Sequence, residues 1–200
     1  MTKTATPFRR KQYEMVDLVK FLFAITIVCI HTGVPVLKII GRIGVPFFVI
    51  ISAFLFFSKY DTLDGDEKKS YLKKYEIRIF ELYLGWQIIY LPFAYKMLKT
   101  YIQWNGVGIK PFIKYVYLTF FYRDFSNTGW GTSWYLFAVI YALPLFILAI
   151  KYLGTKVTFV LSFLIEVYYI LSQGYAVITH VPIISPFFFP RVYIYLFIGY

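Results

Sequence analysis

Apolar runs of bilayer length recur along this 200-residue chain and leave it few ways to fold. Crossing roughly 30 Å of hydrocarbon takes about 20 helical residues. Inside that layer every backbone N–H and C=O must be satisfied without water, which leaves helices or closed barrels. The runs here are too long and too continuously apolar for barrel strands, so an all-α, polytopic transmembrane helix bundle is the expected fold.

Composition supports that class. The chain is 60% hydrophobic and 16% charged, with a mean hydropathy of +0.64, whereas soluble domains are about 45–50% apolar and about 25% charged. The 42 Phe and Tyr residues suit a lipid-exposed bundle with aromatic belts. A net charge of +11 would suggest nucleic acid in a soluble chain, but here most basic residues flank apolar runs. There they set topology and meet anionic headgroups, so membrane lipid is the expected partner and nucleic acid is not. One cysteine (Cys29) and two histidines exclude a disulfide framework and provide no metal-ligand spacing. The basic N-terminus leads into an apolar run without a small-residue cleavage site, which reads as a retained first helix.

Five helices and the start of a sixth are expected across a single domain, 1–200. They cover about 16–37, 43–57, 79–98, 133–150 and 157–172, and a last segment opens at Arg191. "GVPVLKIIGR" reads as a short connection, and "QGYAVITHVPIISPFFFP" as a proline-broken loop. The most polar stretch, 58–78, lies outside the bilayer around an Asp-Gly-Asp turn. The run 111–122 fits an interfacial segment as well as a span. The last segment reaches only about 15 Å by Tyr200, half a bilayer, so the chain reads as the N-terminal portion of a longer domain. Segments 1–20, 59–78 and 151–156 carry 13 Lys and Arg against eight on the opposite side. That bias places the N-terminus on the cytoplasmic side of the cell membrane.

"DLVKFLFAITIVCIH" (17–31) places an acid and a lysine at the mouth of the first helix and a histidine near its far end. Eleven residues advance about 1100°, 20° past three turns, so Lys20 and His31 share a face about 16.5 Å apart along the axis. Two readings stay open from the residues alone. In one, the histidine is buried and hydrogen-bonded, and the lysine snorkels to the surface. In the other, ionisable groups in lipid mark a reactive site or a transport path.

Lys20, ten residues, then His31, preceded by Asp17, resembles the first helix of the membrane acyltransferase-3 family. "GRIGVPFFVIISAFLFF" is similar to that family's second helix, with Ser52 kept and Ala53 in place of a usual glycine. "YEIRIFELY" resembles the basic opening of the third: Arg78, Ile79 and Tyr83 match, while Tyr75 replaces the first arginine and Glu81 a common proline. "SWYLFAVIYALP" resembles the Trp-[FY]-Leu helix.

The resemblance implies O-acyl transfer from cytoplasmic acyl-CoA to a hydroxyl of an extracytoplasmic cell-surface glycan or lipid-linked sugar. No permanently bound cofactor is implied. On that footing His31 is the expected general base, its unperturbed pKa of about 6.5 suiting it to the task. Lys20, Arg78 and Lys74 are expected at the phosphates of the acyl-CoA, positive-inside topology alone being the stronger explanation of Lys74. Ser52, Arg42 and Glu166 are candidates for the substrate path: Ser52 lining it, Arg42 contacting the acceptor or anchoring the interface, Glu166 orienting the imidazole or pairing a cation. Trp134 fits an aromatic belt, and His180 a solvated loop. The other readings are a polytopic transporter with a Lys/His pathway and an inactive truncated acyltransferase.

Overall fold

The computed structural model describes residues 13–32, 35–119, 134–181 and 189–200. Among these every regular element is helical. The order is α1 (Glu14–Thr32), α2 (Pro35–Tyr60), α3 (Gly65–Asn105), α4 (Ile109–Tyr117), α5 (Trp134–Tyr169), α6 (Ala176–Thr179) and α7 (Tyr193–Gly199). A π-helical turn at Ile170–Gly174 continues α5, and a 3-10 turn at Phe189–Val192 leads into α7.

Two corrections to the sequence reading concern helix starts. The expected connection before residue 43 is helical from Pro35 onward, because proline's fixed φ suits a first helical position. The expected 79–98 helix is the inner part of the 41-residue α3. Its polar opening, Gly65 to Arg78, is rich in Lys and Glu, which are good helix formers. It also repeats Tyr71, Leu72, Tyr75 and Ile79 on one face, all of them packed against the core. Asp66 and Glu67 in the first turn complement the helix dipole.

α5 absorbs two expected helices. Gly154, at φ 80° and ψ 164°, interrupts it between Lys151 and Lys156, a conformation that glycine adopts without steric cost. The stretch Trp134–Ser172 has 39 residues, about 58 Å if straight, or twice a hydrocarbon layer. The break therefore falls where the sequence places a polar turn between two spans. α4, nine residues long with none buried, is too short to span. Residues 120–122 of the ambiguous run lie outside the described residues.

The chain divides into two compact units, Met1–Phe48 and Val49–Tyr200. In the first, the rings of Phe23 and Phe47 lie 4.7 Å apart, and Gly44 leaves room for Ile27. In the second, the core joins Val49, Ala53, Phe56 and Phe57 of α2 to Ala138, Val139, Ala142, Leu143 and Phe146 of α5. Val192 and Leu196 complete it. On α5 this face alternates with Tyr141, Leu145, Leu148 and Tyr152, which are exposed. Only 28% of the apolar window of α2 and 33% of that of α5 is buried by protein. So much uncovered apolar helix surface belongs against lipid. Buried hydroxyls are satisfied one turn back: Thr158 donates to the Gly154 carbonyl at 2.8 Å and Ser162 to the Thr158 carbonyl at 2.7 Å.

α7 packs closely on α2 through small residues. A Cβ on Gly199 would overlap the Ile50 carbonyl and come within 2.7 Å of the Ala53 Cβ. Lipid gives no hydrophobic drive to helix association, so such close approach is what holds two helices together. Gly199→Ala should therefore lower thermal stability in detergent by about 1–3 kcal/mol. Gly85→Ala, facing open space within α3, should be neutral or stabilise by about 0.5–1 kcal/mol; equal melting temperatures for the two variants would rule out the contact.

Candidate active site

Two adjoining clefts open in the second unit where α2, α3 and α5 meet. The outer one, about 490 Å³, is lined by Lys59 and Leu63 at the end of α2 and by Glu67, Ser70, Tyr71, Lys74, Tyr75 and Arg78 of α3. The inner one, about 630 Å³, is lined by Ser52, Leu55 and Phe56 of α2, by Tyr135, Leu136 and Val139 of α5, and by α3 from Tyr71 to Leu82. Tyr71, Tyr75 and Arg78 belong to both.

Helix periodicity builds this wall. Glu67, Tyr71, Lys74, Tyr75, Arg78 and Leu82 recur at intervals of three and four, one stripe of a 3.6-residue helix. The stripe runs from charge at the polar end to apolar side chains further along. Three cations and one carboxylate line the outer cleft, so it favours an anion. Lys59 also lies 5.2 Å from the Tyr71 ring centroid and Lys68 lies 5.3 Å from that of Tyr60, contacts that hold the lysine stems along the aromatic wall. Ser52 is eight residues before Tyr60, about 12 Å of rise below the end of α2. The inner cleft thus reaches two turns into the apolar part of that helix.

Ser52 of α2, Tyr75 of α3 and Tyr135 of α5 line this inner cleft together. Burial pushes the Tyr75 phenol well above its usual range, and neighbouring acidic groups add to the shift. Tyr75 therefore stays a hydrogen-bond donor throughout the physiological range. Next to it, Glu76 has a buried Oε1 with no hydrogen-bond partner, and burial raises its carboxyl from the ordinary 4.5 to about 7.

Of the residues expected at a site, the structure brings Ser52, Lys74 and Arg78 together. Arg78 and Lys74 are exposed side chains open to a ligand. Lys20 lies in the other unit, paired with Asp17 at 3.5 Å; this partly exposed pair contributes little to stability. α1 is unbroken from Glu14 to Thr32, so Lys20 and His31 do lie three turns apart along one helix. The side chain of His31 lies outside the described residues. Arg42 is exposed on the α2 segment of the first unit and lines neither cleft. Glu166 also lies apart from the clefts: its Oε1 accepts a hydrogen bond from Tyr195 of α7 at 3.1 Å, and its buried Oε2 has no partner. His180 is exposed at φ 54°, ending α6 as a turn residue.

Sequence reasoning missed Tyr75, Tyr135 and Lys59. Tyr75 reads in the sequence as a lost arginine, and only its place on the stripe with Tyr71 and Arg78 signals a lining role.

The family model described as an acyltransferase domain (acyltransferase-3) matches residues 13–200. The chain belongs to this family. No curated protein and no solved structure matches it. This acyltransferase-3 chain is thus a helical membrane protein of an acyltransferase family.

Because the folded-state pKa of Glu76 is raised, its contribution to stability is complete below about pH 4.5 and is lost as pH rises through about 7. Glu76→Gln should therefore match wild type at low pH and exceed it at pH 8 by about 1–3 kcal/mol. Thermal melts of both proteins across pH 4.5–8 check this, and parallel curves would contradict the burial.

Proposed function

We propose that this acyltransferase transfers an acyl group, acetyl in the first instance, from cytoplasmic acyl-CoA to a hydroxyl of an extracytoplasmic cell-surface glycan or lipid-linked sugar. The protein sits in the cytoplasmic membrane with its N-terminus inside. The observation that carries the reading is that a cleft lined by Lys59, Lys74 and Arg78 adjoins one that shares Arg78 and adds the apolar side chains Leu55, Phe56, Leu82 and Val139. Acyl-CoA has the same division, a phosphorylated head and a nearly uncharged acyl end. Arg78 engages phosphate through its planar fork, and Lys74 and Lys59 add point charges. Lys20, near the start of α1, is a further candidate for the phosphates through the family motif it matches.

An alcohol attacks a thioester poorly until its proton is removed. In this reading His31 takes that proton as the hydroxyl oxygen bonds to the acyl carbon. The carbon–sulfur bond then breaks, and the proton leaves with the thiol of free CoA. A neutral imidazole near pH 7 is matched to this exchange. Ser52 lines the donor cleft, while Arg42 and Glu166 are candidates for the acceptor path.

Transfer of labelled acetyl from acetyl-CoA to membrane glycan tests the assignment. His31→Ala should lose about 10²–10⁴-fold in rate with normal membrane insertion, and full activity would remove the histidine from the mechanism. Arg78→Ala should raise the KM for acetyl-CoA by about 10–100-fold with a smaller change in kcat. Solute flux without any transfer would instead favour a transporter.

A further inference from the structure

The inner cleft contains a hydroxyl cluster that binding of phosphates does not explain. Ser52, Tyr75 and Tyr135 come from three different helices, α2, α3 and α5, and converge within the second unit. Each hydroxyl can donate one proton and accept in turn. Arg78 and Glu81 line the same cleft, and Leu55, Leu82 and Val139 supply apolar wall.

Tyr75 is the member that also lines the basic cleft, one helical turn from Arg78. It stands at the boundary between the charged and apolar spaces. A ligand anchored by its phosphates among Lys74 and Arg78 and extending inward passes this phenol. If the ligand ends in an acyl group, the carbonyl oxygen is the polar atom that must give up water there. A carbonyl buried without a donor is penalised. The Tyr75 ring is already packed on Phe56, centroids 4.7 Å apart, so little rotamer freedom is lost when its phenol bonds.

We propose that Tyr75, which shares the inner cleft with Ser52 and Tyr135, donates the hydrogen bond that holds the acyl carbonyl of the donor there. This makes it the element that distinguishes acyl-CoA from free CoA. The inference rests on the acyl-CoA reading of the clefts and adds a residue where the chain departs from its family's pattern. Tyrosine in place of arginine exchanges a phosphate-binding cation for a neutral donor suited to a carbonyl. Tyr75 keeps its proton because its surroundings disfavour the phenolate, so the donor is present at any working pH.

Equilibrium binding of acetyl-CoA and of CoA to the full chain in detergent or lipid nanodiscs tests this, with wild type, Tyr75→Phe, Tyr135→Phe and Arg78→Ala compared. Wild type should bind acetyl-CoA about tenfold more tightly than CoA, the scale of one hydrogen bond in a buried site. Tyr75→Phe should erase that preference and leave CoA affinity unchanged. Tyr135→Phe should reduce it partway, and Arg78→Ala should weaken both ligands equally. A wild-type acetyl-CoA preference retained in Tyr75→Phe overturns the proposal while leaving the acyl-CoA reading intact. Equal loss of both ligands in Tyr75→Phe also overturns it, because that is the signature of a merely structural role. Wild type binding neither ligand overturns both readings.

Discussion

Phe56 is the contact on which the clefts depend. Its side chain is 1% exposed, and three tyrosine rings meet it: Tyr60 at 5.1 Å, Tyr71 at 5.3 Å and Tyr75 at 4.7 Å. Tyr60 shares its helix; Tyr71 and Tyr75 belong to α3. Each ring pair contributes about 0.5–1.5 kcal/mol beyond the area it buries. More important is the geometry. Fixing Phe56 against two tyrosines one turn apart sets the register of α2 on α3. Ser52, one turn before Phe56, is thereby brought to Tyr75.

The same register separates the chemistry along the cleft. α3 leaves the polar turn with lysines and arginine exposed and enters the apolar layer with Ile79 and Leu82. A cation near water costs little desolvation, whereas one two turns deeper would lose hydration that protein dipoles must replace. Positive charge therefore ends near Arg78, and the inner cleft adds the hydroxyls of Ser52 and Tyr135 beside Glu81. The proposed acyl-CoA donor, ionic at one end and not at its reacting carbonyl, suits that arrangement.

Much of this was legible in the residues. The length of the apolar runs required helices, and the ordered motifs around Lys20, His31, Gly44, Ser52 and Arg78 pointed to the family. Helix ends were less legible. The polar opening of α3 carries charge, which argues against a membrane span but says nothing against a helix. It therefore read as a loop although its propensity and its tyrosine stripe are helical. The break at Gly154 was visible as a short polar interval between two apolar runs. Tyr75 and Tyr135 were not visible as a pair, since they are 60 positions apart and each looks like one aromatic among many.

Taken by itself, the sequence determined the class, the family and the single-faced spacing of Lys20 and His31, because helix period and bilayer thickness act locally on consecutive residues. Only the tertiary structure decided that Ser52, Tyr75 and Tyr135 share one point and that Lys74 and Arg78 open onto the same passage. It also separated Glu166 from that passage by engaging its carboxylate with Tyr195. Which helix faces meet depends on close packing of side chains such as Phe56, Ala53 and Gly199. That packing is a property of three-dimensional fit, which no run of consecutive residues encodes.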